Sequence, residues 1–141
     1  MTTELSLEVK KHLAYPPERV FDAWLDPKTL AKFMKPGPDV TTPEVTSDAV
    51  VGGRFKIVMK APEMGEIPHE GEYLEIDRPN RLKFTWLSPY SQEGSTVTLT
   101  FASKDGGTDL TLHHIRFPSE ESRDNHEGGW TAILNTLSEA L

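Results

Sequence analysis

The sequence predicts an α+β fold in which a curved antiparallel sheet grips one long C-terminal helix, and two observations carry that reading. Between Val40 and His114 most of the chain alternates apolar and polar residues with a period of two, broken by turn signals. From Ser119 to Leu141 the period changes. Trp130, Ile133, Leu134, Leu137 and Leu141 recur at steps of three and four, which puts one apolar stripe on one side of a helix. A stripe of that length needs a partner, and strands are the main surface available to it.

The elements follow in the order β-α-α-β6-α. Leu5, Leu7, Val9, Lys11 and Leu13 alternate with Glu4, Ser6, Glu8, Lys10 and His12, giving a first strand from Glu4 to Leu13. Pro16-Pro17 stops it, and Pro17 with Glu18 suits the first turn of a short helix carrying Val20, Phe21 and Trp24. Asp26-Pro27 starts a second short helix through Leu30, Phe33 and Met34, which Pro36-Gly37-Pro38 ends. Val45 marks a short strand, and Gly52-Gly53 a tight turn. Phe55, Ile57 and Met59 then alternate with polar neighbours. The stretch from Ala61 to Pro68, with two prolines and a glycine, reads as a mobile connection. Gly71 to Asp77 is a strand, Arg78-Pro79-Asn80 a turn, and Leu82, Phe84 and Trp86 the next strand. After a polar loop from Ser88 to Gly94, Val97, Leu99 and Phe101 share one face. Asp105-Gly106-Gly107-Thr108 is a strong hairpin signal leading to Leu110, Leu112 and His114. Ser119 is a good N-cap for the long helix, with Glu120 and Glu121 at the positive end of its dipole.

Composition narrows the function. The 141 residues suit one domain, 1–141, with its own core. There is no cysteine, which removes disulfides, thiolate chemistry and thiolate metal ligation. The formal net charge of −7 is a poor match to nucleic acid, which calls for a basic face. No long apolar run follows Met1-Thr2-Thr3-Glu4, so neither a leader nor a membrane span is expected, and the expected location is cytoplasmic.

Several stretches together resemble a known family: Pro17-Glu18-Arg19-Val20-Phe21-Asp22-Ala23-Trp24, Asp26-Pro27 with Leu30, Val51-Gly52-Gly53-Arg54-Phe55, and Gly71 through Pro79. Arg81-Leu82, Phe84-Thr85-Trp86, Val97-Thr98-Leu99-Thr100-Phe101, and Gly129-Trp130 with Leu134 and Leu137 complete the pattern. In order and spacing the chain resembles the activator of heat-shock protein 90 ATPase homologue-like proteins, within the START-like (SRPBCC) superfamily that also holds the major birch-pollen allergen and polyketide cyclases. The resemblance covers nearly the whole chain. It implies the helix-grip fold, often with an apolar cavity between sheet and helix. The eukaryotic co-chaperone that names the family has a separate N-terminal domain with no counterpart in these residues, so chaperone activation is not carried over. Where relatives commonly show paired tryptophans, this chain has Phe33-Met34, a smaller and softer rim.

An antiparallel sheet with one buried face turns alternate residues inward. That set is Phe55, Ile57, Met59, Phe84 and Trp86, followed by Val97, Leu99, Phe101, Leu110 and Leu112, with Trp24, Phe33, Trp130 and Leu134 closing over it. It is either an ordinary core or a core with a cavity, and the resemblance supplies the second reading. Trp130 is expected to face Trp86 or Phe84. Gly128 and Gly129 interrupt the long helix at a cost of roughly 1 kcal/mol each relative to alanine. They mark either close backbone packing or room beside Trp130.

The polar candidates are His69, Tyr73, Glu75, His114 and His126. His113 and His114 face opposite ways, so they cannot ligate together, and no third ligand stands at a recognisable spacing; no metal and no cofactor are expected. Glu75 is either a buried general base or an ion-paired surface group, and a bulge would resolve its conflict with Leu74 and Ile76. No Gly-x-Ser-x-Gly and no phosphate-cradling loop is present. The leading expectation is a module that holds a small hydrophobic ligand in a cavity. Its candidate lining is Trp24, Phe33, Phe55, Ile57, Met59 and Tyr73, then Phe84, Trp86, Phe101 and Leu112, then His114, His126, Trp130 and Leu134. The alternatives are a cyclase- or hydrolase-type enzyme using Glu75, His114 or His126, and a protein-interaction domain. A homodimer or a protein partner stays open.

Overall fold

Seven antiparallel strands form one sheet in the order β1-β7-β6-β5-β4-β3-β2. The structure, a computed structural model, describes residues 5–91 and 93–141. The strands are β1 (Ser6–Leu13), β2 (Thr41–Ser47), β3 (Arg54–Ala61), β4 (Gly65–Asp77), β5 (Arg81–Thr85), β6 (Thr96–Lys104) and β7 (Gly107–Ile115). The helices are α1 (Pro17–Ala23), α2 (Pro27–Phe33) and α3 (Glu120–Ala140). This is the expected helix-grip order. The proposed start of β1 at Glu4 falls outside the described residues. No described helix is long and apolar enough to cross a membrane.

Local chemistry sets the boundaries. Asp26 caps α2, accepting from the Lys28 amide at 3.4 Å and the Thr29 hydroxyl at 2.6 Å. Ser119 caps α3 by accepting from the Ser122 amide at 3.1 Å. Asp105 and Gly106, at φ 50° and 76°, make the two-residue turn between β6 and β7.

The stretch from Ala61 to Pro68 differs from expectation. β3 runs through Ala61 and β4 begins at Gly65, so the connection shrinks to a tight turn over 62–64. Pairings Met59↔Ile67, Val58↔Pro68 and Ile57↔His69 extend the hairpin. A proline here is tolerated because this half of β4 runs past β5 and has only β3 paired beside it until the bridge at Glu70. The alternation of Ile67, His69 and Gly71 with Glu66, Pro68 and Glu70 was the strand signal beneath the prolines.

The inward set is buried as one cluster, from Phe55, Ile57 and Met59 through Phe84 and Trp86 to Leu110 and Leu112. α3 lies against β1 and α2 and presents Trp130, Ile133, Leu134 and Leu137 to that cluster. Gly71 sits opposite Phe55 in the β3–β4 ladder. A Cβ there would collide with the Thr85 carbonyl and the Phe55 ring, so only glycine lets that ring lie flat across β4.

Candidate functional site: a cleft between the sheet and the long helix

The site is built mainly from three segments, with Pro36 and Val40 of the α2–β2 connection completing its rim. The β3–β4 hairpin brings Met59, Met64, Ile67 and His69 to one wall; the loop after β5 brings Trp86 and Tyr90; the first half of α3 brings Ser122, Asn125, His126, Gly129, Trp130 and Ile133. The α3 residues recur at steps of three and four, so they share one face. Between the walls lies an open cleft of about 720 Å³. Tyr90 is tied to the helix through its carbonyl, which accepts from the Ser122 hydroxyl at 3.4 Å.

Of the candidate lining residues, Met59, Trp86, His126 and Trp130 border this cleft. Trp24, Phe55, Ile57, Tyr73 and Phe84 surround a separate void of only about 10 Å³, too small to hold more than a water-sized molecule. Phe33, Phe101, Leu112, Leu134 and His114 sit in the packed core away from both. Phe101 meets Phe21 edge-on at 5.1 Å, and Phe33 meets Trp24 at 5.0 Å. Met64, Ile67 and Tyr90 were not in the sequence-derived set. The first two were hidden by the loop-like reading of 61–68, and Tyr90 by the polar loop around it.

The aromatic floor is continuous. Trp86 lies 4.9 Å from Trp130 and 4.9 Å from the His69 ring. Trp130 faces Trp86, as the stripe predicted. Gly129 borders the cleft beside Pro36, and a Cβ at Gly128 would meet nothing within 4 Å. Neither glycine packs against a strand.

Beneath the cleft a hydrogen-bond chain fixes His114, which is fully buried. The Trp130 indole N–H donates to His114 Nδ1 at 3.0 Å, and His114 Nε2 lies 2.6 Å from the Ser95 hydroxyl. An indole nitrogen can only donate. Nδ1 is therefore the acceptor, the proton sits on Nε2, and Nε2–H donates to Ser95. A serine nucleophile needs the opposite tautomer, with an unprotonated nitrogen facing its hydroxyl. Ser95 and His114 thus form a structural pair. Burial, followed by the nearby His126 and His113, pushes His114 down to about 3, which keeps it neutral.

The remaining polar candidates are accounted for individually. His126 Nδ1 donates to the Ser122 carbonyl at 2.7 Å. The Tyr73 hydroxyl pairs with Ser47 at 2.7 Å, and burial raises its pKa. Glu75 pairs with Arg81 at 3.5 Å on a half-exposed face, and the register shift between Tyr73 and Glu75 lets Leu74 turn outward. His69 is 8% exposed, and its Nδ1 has no hydrogen-bond partner among the described residues. Burial lowers it to about 4, the nearby His126 adds to the drop, and the backbones of Ile57 and Ile67 pull the other way. Among the described residues, no three His, Asp or Glu side chains are grouped to hold a metal ion.

The family assignment rests on this fold and on sequence together. The family model described as activator of Hsp90 ATPase homolog 1-like protein matches residues 14–141. The chain belongs to that family. A protein of known structure from Chromobacterium violaceum is 30% identical, covering 95% of this chain and 94% of its own, with a TM-score of 0.84. An AHSA1-like protein from Aeromonas hydrophila is 26% identical over 96% of this chain and 91% of its own, with a TM-score of 0.82. A Nitrosomonas europaea protein is likewise 26% identical, covering 96% and 93%, with a TM-score of 0.81. No curated protein matches the sequence significantly. For this member of the AHSA1-like family, the helix-grip architecture and START-like ancestry stand on those matches.

Proposed function

We propose that the chain binds a small apolar or aromatic molecule in the cleft between the sheet and α3. The observation that carries this reading is the cleft itself. Its volume of about 720 Å³ falls within the range of about 300–1,000 Å³ usual for small-molecule sites. Its floor is the aromatic row His69, Trp86 and Trp130, and its rim adds Met59, Ile67 and Ile133. An apolar guest would bury against these rings at about 25 cal/mol per Å² of surface removed from water. Exposed Met64 and Tyr90, at 56% and 52%, would be partly covered by such a guest.

A binding role fits the chemistry better than catalysis. The buried Ser95–His114 pair has the wrong tautomer for a nucleophile, and Glu75 is half-exposed, ion-paired with Arg81 and does not line the cleft. Native mass spectrometry of freshly purified protein tests the reading: a small molecule should co-purify and leave on denaturation. Nile red, an uncharged apolar dye, should also bind saturably at one site per chain. Absence of both a co-purified molecule and saturable dye binding would overturn it.

A further inference from the structure

Along its α3 wall the cleft changes character. Ser119, Ser122, Asn125 and His126 line it at the start of the helix, and Gly129, Trp130 and Ile133 line it further along. His126 stands at that boundary, one turn or roughly 6 Å along the axis from Trp130. Its ring is held from three sides. Nδ1 lies 2.7 Å from the Ser122 carbonyl, His114 stands perpendicular to it with ring centres 5.4 Å apart, and Phe117 packs at 5.2 Å. A carbonyl oxygen can only accept, so Nδ1 carries a proton, and in the neutral ring Nε2 is left as an acceptor. Nε2 has no hydrogen-bond partner among the described residues, and unlike the enclosed nitrogens of His69 and Trp86 it is open to solvent. His69, on the opposite wall, is close enough to feel a charge on His126, which sets the two rings facing across the cleft.

We propose that His126 is the recognition residue of the cleft, and that its guest is an aromatic molecule with a hydrogen-bond donor at one edge, a phenol-type hydroxyl or an aryl N–H. The inference rests on the ligand-binding reading above and narrows it to a chemical class. Two fused rings span the turn from Trp130 to His126, so the rings cover the indole while the donor meets Nε2. No side chain has to move, because Ser122, His114 and Phe117 already fix the imidazole. A guest that only accepts, such as an ether, sets a lone pair against a lone pair and gains no bond. Charge gives no comparable preference. The start of α3 at Ser119 favours an anion, while Glu121 beside it and the chain's net charge of −7 oppose one.

Three probes of one shape separate the possibilities: 2-naphthol, 2-methoxynaphthalene and 2-naphthoate, titrated into the intact protein at pH 7.5. The indole N–H resonances of Trp86 and Trp130 report entry into the cleft, and the ¹⁵N shift of His126 Nε2 reports the hydrogen bond. The naphthol should bind about fivefold more tightly than the methyl ether, the advantage of one hydrogen bond. It should move the Nε2 signal, and the ether should not. His126→Phe should erase the advantage and leave binding of the ether unchanged, while His126→Gln, which keeps an acceptor oxygen, should retain part of it. The Nε2 shift is read in the parent protein, so it decides the matter even where a variant fails to fold. An Nε2 signal unmoved by bound naphthol, an advantage that survives in folded His126→Phe, or naphthoate binding more tightly than naphthol would overturn the inference and leave the cleft reading intact. If none of the three probes moves the Trp86 or Trp130 signal, both fall.

Discussion

The indole N–H of Trp130 donates to Nδ1 of His114 at 3.0 Å, and this contact joins the long helix to β7, the strand beside the β1 edge of the sheet. Trp130 is 2% exposed and His114 fully buried. The bond is therefore shielded from water, and each partner depends on the other for satisfaction. It also decides the protonation pattern of the imidazole, and through that the role of Ser95.

Truncating Trp130 should test this directly. Trp130→Ala removes an almost fully buried ring that touches Trp24, Trp86 and His114, so it should cost about 3–5 kcal/mol in denaturant melts. Trp130→Phe keeps most of the ring but leaves His114 Nδ1 without its donor, at a cost of about 1–3 kcal/mol. In the parent protein, ¹⁵N shifts of the imidazole should show the Nε2–H tautomer. A Trp130→Phe variant as stable as the parent, or the opposite tautomer in the parent, would contradict the assignment.

Much of this was legible in the sequence. The stripe through Trp130, Ile133, Leu134 and Leu137 gave the helix and its buried face, and the alternation from Phe55 to Leu112 gave the sheet. Periodicity reports which face is inward, because burial of a whole face is a local pattern repeated many times. It does not report where two inward faces fail to meet. The separation of the cleft at Met59, Trp86, His126 and Trp130 from the packed core at Phe33, Phe101 and Leu134 depends on how far α3 stands from the β3–β4 hairpin. That distance is a tertiary quantity. Gly128-Gly129 was the local trace of it, and Ile67 was masked by the prolines on either side of the turn.

Acid should destabilise the fold through two histidines. Burial holds His114 at about 3 and His69 at about 4, whereas an imidazole in the unfolded chain takes up its proton near pH 6.5. Between those values the unfolded chain binds more protons than the folded one, so stability is complete above about pH 6.5 and falls as pH drops toward 4. Two such groups give a slope of at most roughly 3 kcal/mol per pH unit. Urea melts at pH 7, 6 and 5 should show the decline, and His69→Gln should reduce its slope by about half. A stability that is flat from pH 7 to pH 5 would rule out neutral burial of both rings.

The glycine pair offers the sharpest separation of stability from binding. Gly128 lies in the interior of α3, and a Cβ there meets nothing within 4 Å. Gly128→Ala should therefore stabilise the protein by about 0.5–1 kcal/mol, by restricting the unfolded chain and improving helix propensity. It should leave dye binding unchanged, because Gly128 does not line the cleft. Gly129 does line it, and a Cβ there touches Pro36 at 3.4 Å, an ordinary contact. Gly129→Ala should fold normally, while Gly129→Leu should send its branched end into the cleft beside Trp130. The leucine variant should melt within about 1 kcal/mol of the parent, since it gains helix propensity and fills open space rather than a packed core. Its affinity for Nile red should fall about tenfold or more, as the side chain takes volume the guest needs. Thermal melts and dye titrations on the three variants check both halves. Undiminished dye binding by a folded Gly129→Leu protein would place the binding surface somewhere other than this cleft.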